Sequence, residues 1–155
     1  MPINPQAETY LVRGASAGLP HLVDQGVSVA RGYSHAEPDL GGALNPRVAI
    51  KHEYFTSSTA DIPVHIYTPK GPGPFNGLVY FHGGGWVLNY VGKYDAQLGD
   101  MAEKTNSVIV SINYQKAPEH KFPTPFNDCY EGLAWVVEHA KELNISTEKD
   151  RKSVV

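Results

Sequence analysis

The chain has 155 residues, 41% of them hydrophobic and 19% charged, a composition that fits a globular domain of ordinary size and excludes a disordered chain. The formal net charge is −3, and the 13 lysines and arginines are scattered. That excludes the concentrated basic footprint of a nucleic-acid binder and argues against a polybasic membrane anchor. Cys129 is the single cysteine, so neither an internal disulfide nor a cysteine metal cluster is expected.

Met1 to Gln6 lacks the basic and apolar regions of a signal peptide, which leads to the expectation of a cytoplasmic protein. Asn144-Ile145-Ser146 matches a glycosylation acceptor, which has little weight without a secretion signal. The longest apolar runs, such as Leu78 to Phe81, fall far below a membrane span of about 20 residues.

The stretch to about Pro46 reads as helical and irregular. Asn4-Pro5 has the form of an N-cap followed by proline in the first helical position, and Gly18 then Pro20 form the matching stop. Gly32, Gly41, Gly42 and Pro46 are expected to break the chain between that stop and the first strand. The pattern then changes to period two. Val48 to Phe55 and Ile62 to Tyr67 predict two strands joined by Thr56 to Asp61 as an antiparallel hairpin. In the second strand Val64 and Ile66 share one face, His65 and Tyr67 the other. Pro63 is expected to put that strand near an edge or at its own start.

Thr68 to Gly77 is a proline- and glycine-rich connection. Leu78 to Phe81 and Val108 to Ile112 are apolar without alternation, as in parallel strands covered on both faces. Between them Tyr94, Leu98, Met101 and Ala102 recur at the spacing of one helix face. A second helix is predicted after Pro123, with Thr124-Pro125 as cap and first position and an apolar stripe of Phe126, Tyr130, Leu133, Ala134 and Val137. Asp128 and Glu131 fall in its first turns, where negative charge is favoured. Asn144 to Lys152 reads as a loop, and Ser153-Val154-Val155 as the opening of another buried strand. The order is that of an α/β protein.

The chemistry is concentrated in Phe81-His82-Gly83-Gly84-Gly85-Trp86, directly after the first buried strand. Glycine admits backbone conformations closed to other residues and lets a ligand approach the N–H groups. Adjacent N–H groups held this way can donate to an oxyanion, each such donor contributing about 2.7–4 kcal/mol in the transition state. A phosphate-binding loop would need lysine and Ser/Thr at set offsets, whereas Trp86, Val87 and Leu88 come next. A plain glycine turn accounts for neither the histidine before the glycines nor the tryptophan after them.

Leu78 to Val87, then Val110-Ser111-Ile112-Asn113-Tyr114 running into Ala117-Pro118-Glu119-His120-Lys121-Phe122-Pro123, and more weakly Asn127-Asp128-Cys129-Tyr130, resemble the hormone-sensitive-lipase-type branch of the α/β-hydrolases, which includes arylacetamide deacetylases and bacterial esterases. The resemblance covers essentially the whole chain and is dense from about Val48. It implies the N-terminal half of an α/β-hydrolase sheet with helices on both faces, residues 47–155, preceded by an N-terminal helical cap segment, residues 1–46. It implies a carboxylesterase or lipase acting on small-molecule carboxylic esters through a serine acyl-enzyme, with no cofactor and no metal. Gly83 and Gly84 would give their N–H groups to the oxyanion, and His82 would orient the loop. Two departures stand out. Asn113-Tyr114-Gln115-Lys116 replaces the usual Asp-Tyr-Arg-Leu, which bears on the polar network around Glu119. Asn89 sits where the family often has glycine.

Such enzymes need a serine in a G-x-S-x-G turn between strand and helix, followed by Asp/Glu and His. By the resemblance these lie beyond Val155, so the chain alone is expected to be inactive. Gly14-Ala15-Ser16-Ala17-Gly18 matches the pattern literally, but a helix precedes it and a stop comes after it. Two other readings stay open: a non-catalytic ligand-binding relative, as the plant gibberellin receptors are in this branch, and a naturally truncated inactive protein. His21, His35, His52, His65 and His139 show no metal spacing. His120 is expected to be a loop hydrogen-bonder, while Cys129, Trp86 and Trp135 are expected to pack. Oligomeric state and acyl preference are not encoded in any motif.

Overall fold

Asn4 caps the first helix as its sequence predicts: its Oδ1 accepts the Gln6 N–H at 2.9 Å, and Pro5 opens α1 (Pro5–Ser16). The computed structural model describes residues 2–148 except 17, 19–20, 22–23 and 37–41. The expected strand at Ser153 to Val155 and the stop at Pro20 lie outside the described residues. Gly18 takes the left-handed conformation, φ 61°, that ends a helix.

A second helix, α2 (Val27–Ala36), runs straight through Gly32, where a break was expected. A single glycine costs a helix only about 1 kcal/mol relative to alanine. Here Ala30 and Ser34 are buried on the same side, and Arg31 is anchored elsewhere in the fold, which outweighs that cost.

The hairpin forms as predicted. β1 (Val48–Thr56) and β2 (Asp61–Pro69) pair antiparallel from Val48 opposite Pro69 to Thr56 opposite Asp61. The Ser57 N–H to Ala60 carbonyl bond, 2.8 Å, closes the turn. β2 is interior, not an edge: β3 (Asn76–Phe81) and β4 (Ser107–Ile112) complete a four-stranded sheet in the order β1-β2-β4-β3. Pro63 is tolerated because it sits near the start of β2, where its carbonyl accepts the Asn113 N–H at 2.9 Å. β3 and β4 are parallel and β2 and β4 antiparallel, so the sheet is mixed.

β4 is buried at every residue, as its unbroken apolar sequence requires of a central strand. β3 has the same kind of sequence but is only half-buried, because in the described residues it lies at the sheet's edge. Residues 144–146 lie beside its start. The Phe75 N–H donates to the Asn144 carbonyl at 2.9 Å, and Ser146 donates back to Phe75 at 2.7 Å.

Two apolar clusters separate the faces. On one, Ile62, Val64 and Ile66 of β2 pack with Val79, Val108, Val110 and Ile112 and with Val136 of α4 (Thr124–Glu138). On the other, Tyr67 and Ile109 pack with Leu98 and Ala102 of α3 (Asp95–Thr105). The expected alternation in β2 is thus realised, and helices cover both faces of the sheet.

Both helices correct the predicted stripes in part. In α3, Leu98 and Ala102 are buried, but Met101 is exposed, and Tyr94 belongs to a 3-10 turn, Val91–Tyr94, ahead of the helix. Burial falls instead on Ala96 and Gly99. In α4, the predicted stripe is mostly the open side: Phe126, Tyr130, Ala134 and Val137 are exposed and Leu133 half-buried. The buried side is Pro125, Asp128, Cys129, Gly132 and Val136. Gly132 permits this, since a Cβ there would stand 3.1 Å from Ile112 Cδ1 and 3.2 Å from Phe55 Cε1. Thr124 does not cap α4; Pro123 is the N-cap residue and no side chain bonds there.

Candidate active site

The glycine loop leaves the carboxyl end of β3 and turns sharply. Gly84 has φ 139° and Gly85 φ 61°, both in the region that favours glycine. A Cβ on Gly84 would lie 2.4 Å from the Leu88 carbonyl oxygen, so the turn requires glycine there on space as well as on conformation. The Gly84 carbonyl accepts both Val87 N–H, 3.1 Å, and Leu88 N–H, 2.9 Å, which fixes the far side of the turn. Among the described residues nothing accepts from the N–H groups of Gly83 or Gly84. Both residues line a cleft of about 510 Å³, walled by Trp86, Tyr114 and the exposed side of α4 through Phe126, Tyr130 and Leu133.

His82 stands behind this loop. It is 2% exposed and stacked on Tyr114, ring centroids 4.4 Å apart. Its Nδ1 lies 3.0 Å from the Gly83 carbonyl, and the Tyr114 hydroxyl donates to the His82 carbonyl at 2.6 Å. Burial pulls the imidazole pKa down to about 4, helped by the charge of Lys116 and opposed by the bond to Gly83. His82 is therefore neutral near neutral pH and serves as a packed, hydrogen-bonded support.

Asn89 explains its own departure from glycine. It adopts φ 68°, a left-handed conformation that asparagine tolerates better than most residues. Its side-chain amide donates to the Gly83 carbonyl at 2.9 Å and to the Tyr94 hydroxyl at 3.0 Å, while its Oδ1 accepts from the Ser34 hydroxyl of α2. Lys93 Nζ donates to the Ser34 carbonyl at 2.9 Å beside it.

The polar network around Glu119 is also rebuilt. Arg31 of α2 grips the Glu119 carboxylate with two bonds, 2.7 and 2.8 Å, and donates to the carbonyls of Val87, 2.9 Å, and Ala117, 2.8 Å. An arginine from α2 thus ties together the two loops that flank the glycine turn. Gln115, in place of the usual arginine, turns the other way: its N–H donates to Asp128 Oδ2 at 2.8 Å and its side chain to Thr59 at 2.6 Å. Asp128 is 1% exposed and Glu131 accepts from Ser58, so both carboxylates hold specific neighbours beyond favouring a helix start.

The remaining candidates fall into distinct places. Gly14, Ala15 and Ser16 lie in α1, with no strand before them, so the literal serine motif lacks the strand–turn–helix geometry of a nucleophile. The Cys129 thiol is buried and its pKa is pushed up to about 12, by burial first and then by Asp128. Trp135 packs between Phe55 and His139 as expected. Trp86 does not; with φ 63° it stands 47% exposed at the cleft rim, tilted on Tyr114. The structure also brings together a group that spacing did not reveal: His52 of β1, His65 of β2 and Asp95 of α3. Their only sequence signal is the hairpin register, which places His52 directly opposite His65.

A mixed sheet covered by helices, with a glycine loop at the end of an inner-type strand, defines an α/β-hydrolase, and the profile described as an alpha/beta hydrolase fold matches residues 78–151. The chain is 37% identical over 90 residues to an arylesterase of Saccharolobus solfataricus, 57% of this chain and 29% of that one. It is 29% identical over 141 residues to the carboxylic ester hydrolase LipN of Mycobacterium tuberculosis, 90% of this chain and 38% of that one. The esterase of Pyrobaculum calidifontis superposes with a TM-score of 0.85 at 25% identity, over 99% of this chain and 50% of that chain. An ester hydrolase from the metagenome of Lake Arreo gives 0.86 at 26% identity, over 99% and 50%. The chain thus has the α/β-hydrolase fold and is similar to hormone-sensitive-lipase-type esterases of that fold. It spans about half the length of these solved relatives and less than two-fifths of these curated ones. Among the described residues no helix is long and apolar enough to cross a membrane.

Proposed function

We propose that this chain supplies the oxyanion-hole part of a serine carboxylesterase that cleaves small-molecule carboxylic esters through an acyl-enzyme. The observation that carries the proposal is the pair of unengaged N–H groups of Gly83 and Gly84 on an apolar cleft. In acyl transfer the carbonyl oxygen becomes anionic as the tetrahedral intermediate forms, and two donors already in position stabilise it without reorganisation. His82, neutral and enclosed, positions the loop and is not the base. The apolar wall from Trp86, Phe126, Tyr130 and Leu133 suits the acyl or alcohol portion of an ester. The serine, acid and histidine of the triad belong, on this proposal, to sequence beyond Val155. The 155-residue chain would then neither turn over esters nor take a fluorophosphonate label.

The test is made in the continuous reading frame expressed past Val155, assayed on short-chain p-nitrophenyl esters. Gly84→Ala keeps its N–H, but its Cβ would meet the Leu88 carbonyl oxygen at 2.4 Å and push that donor out of place, so kcat should fall by about 10²–10³ with a far smaller change in KM. Ser16→Ala should leave both unchanged. Full activity of Gly84→Ala, or loss of activity in Ser16→Ala, would overturn the assignment. A stop codon directly after Val155 would remove the catalytic claim and favour the inactive reading.

A further inference from the structure

On the face of the sheet that carries α3, away from the glycine cleft, three potential ligands from three elements converge. Directly paired residues on antiparallel strands have Cβ atoms about 4.5–5.5 Å apart. The His52–His65 pair uses this to stack its rings, centroids 3.8 Å apart and planes 10° from parallel. Asp95, the first residue of α3, reaches over the pair, and its Oδ1 lies 2.8 Å from His65 Nδ1. One ligand atom from each of the three residues lies within 4.8 Å of the others.

We propose that His52, His65 and Asp95 form a binding site for a divalent first-row transition ion, with Zn²⁺ as the expected occupant. Two imidazoles and one carboxylate are a borderline nitrogen–oxygen set that zinc accepts, with water in the fourth position. Bond lengths of about 2.0–2.2 Å place tetrahedral ligands about 3.3 Å apart. The His65–Asp95 separation is already near that value. His52 has to approach by up to about 1.5 Å, and its exposed side chain is free of the core that would resist a rotation. The ion would replace the proton shared by His65 and Asp95, as metal binding generally displaces protons from its ligands. A supporting shell is in place, because the buried Tyr67 hydroxyl donates to Asp95 at 2.7 Å and fixes the carboxylate. A structural hydrogen bond would account for His65 and Asp95 alone. The ion has to lie near the plane of each ring, so His52 must rotate out of the parallel stack to turn a nitrogen toward it.

The test is equilibrium dialysis of the 155-residue chain against Zn²⁺, with bound metal measured by mass spectrometry. The wild-type chain should take up one equivalent that His52→Ala lacks, with affinity in the variant lower by about 100-fold, and Mg²⁺ should not compete. Tyr67→Phe should weaken binding about tenfold, the lower end of what removing an outer-shell partner costs. His139→Ala should bind as the wild type does. His52 is exposed, so its variant keeps the fold, which circular dichroism checks. Equal uptake by wild type and His52→Ala, or no uptake by the wild type, overturns the proposal. Neither result touches the esterase assignment, which rests on a different face.

Discussion

At the scale of single residues, His82 shows how a titratable group can be conscripted as scaffold. Its pKa is drawn from 6.5 to about 4, chiefly by burial. The unfolded chain therefore binds the proton first as pH falls. The contribution of the neutral ring to stability is complete above about pH 6.5 and is lost as pH falls toward 4, by an amount on the order of 3 kcal/mol. At fixed protein concentration, the apparent unfolding temperature should drop across that window in the wild type and drop much less in His82→Gln. Parallel pH curves for the two would show that the imidazole is not held neutral. The HGGG-type loop was legible because its glycines are required by local geometry, as at Gly84, where any side chain would meet Leu88. Asn89 was visible only as a departure. Its partners Gly83, Tyr94 and Ser34 belong to three separate segments, which no local spacing rule connects.

Elements were legible where one periodicity had one meaning. The hairpin and the two apolar strands met that condition. α4 did not, because it is apolar on two sides, and Phe126, Tyr130, Leu133 and Val137 recur as regularly as the residues that are in fact buried. The buried side was disguised by Asp128 and Gly132, a carboxylate that clamps Gln115 and a glycine that admits β4. The tie between α2 and the loops was equally hidden, since Arg31 and Glu119 are 88 residues apart. Glu119 titrates at about 2, below its usual 4.5, with the Arg31 hydrogen bond as the largest cause. The stabilisation from this pair is present above pH 4.5 and lost as pH falls toward 2. Fluorescence of Trp86, whose carbonyl accepts the Ala117 N–H at 2.9 Å, can follow this in a Trp135→Phe background. The acid midpoint should move upward, toward 4.5, in Arg31→Ala. An unmoved midpoint would mean that the ion pair does not hold the loop.

Across the described residues, the sheet is open at β3, which has β4 on one side only. The half-buried β3 shares its bordering clefts with the exposed Phe126, Tyr130 and Val137 of α4. An apolar strand at a sheet edge beside a contiguous apolar helix face is a template for association. The 155-residue chain should self-associate in sedimentation experiments at micromolar concentration, and Phe126→Ser with Tyr130→Ser should shift it toward monomer. A wild-type chain that sediments as a monomer and unfolds sharply and reversibly would contradict this. The same apolar side walls the cleft that receives the glycine loop, so the surface left open and the surface proposed for ester binding are continuous.

Asn89 and Arg31 together limit how freely such a protein can be recombined. Exchanging the N-terminal helical segment between relatives treats it as an independent module. Here α2 is stitched to the glycine loop through Ser34, which bonds the Asn89 side chain that holds Gly83, and to neighbouring segments through Arg31. A foreign segment lacking those two side chains would, in the same step, untie the glycine turn. In this scaffold α2 and the glycine turn are inherited as one block.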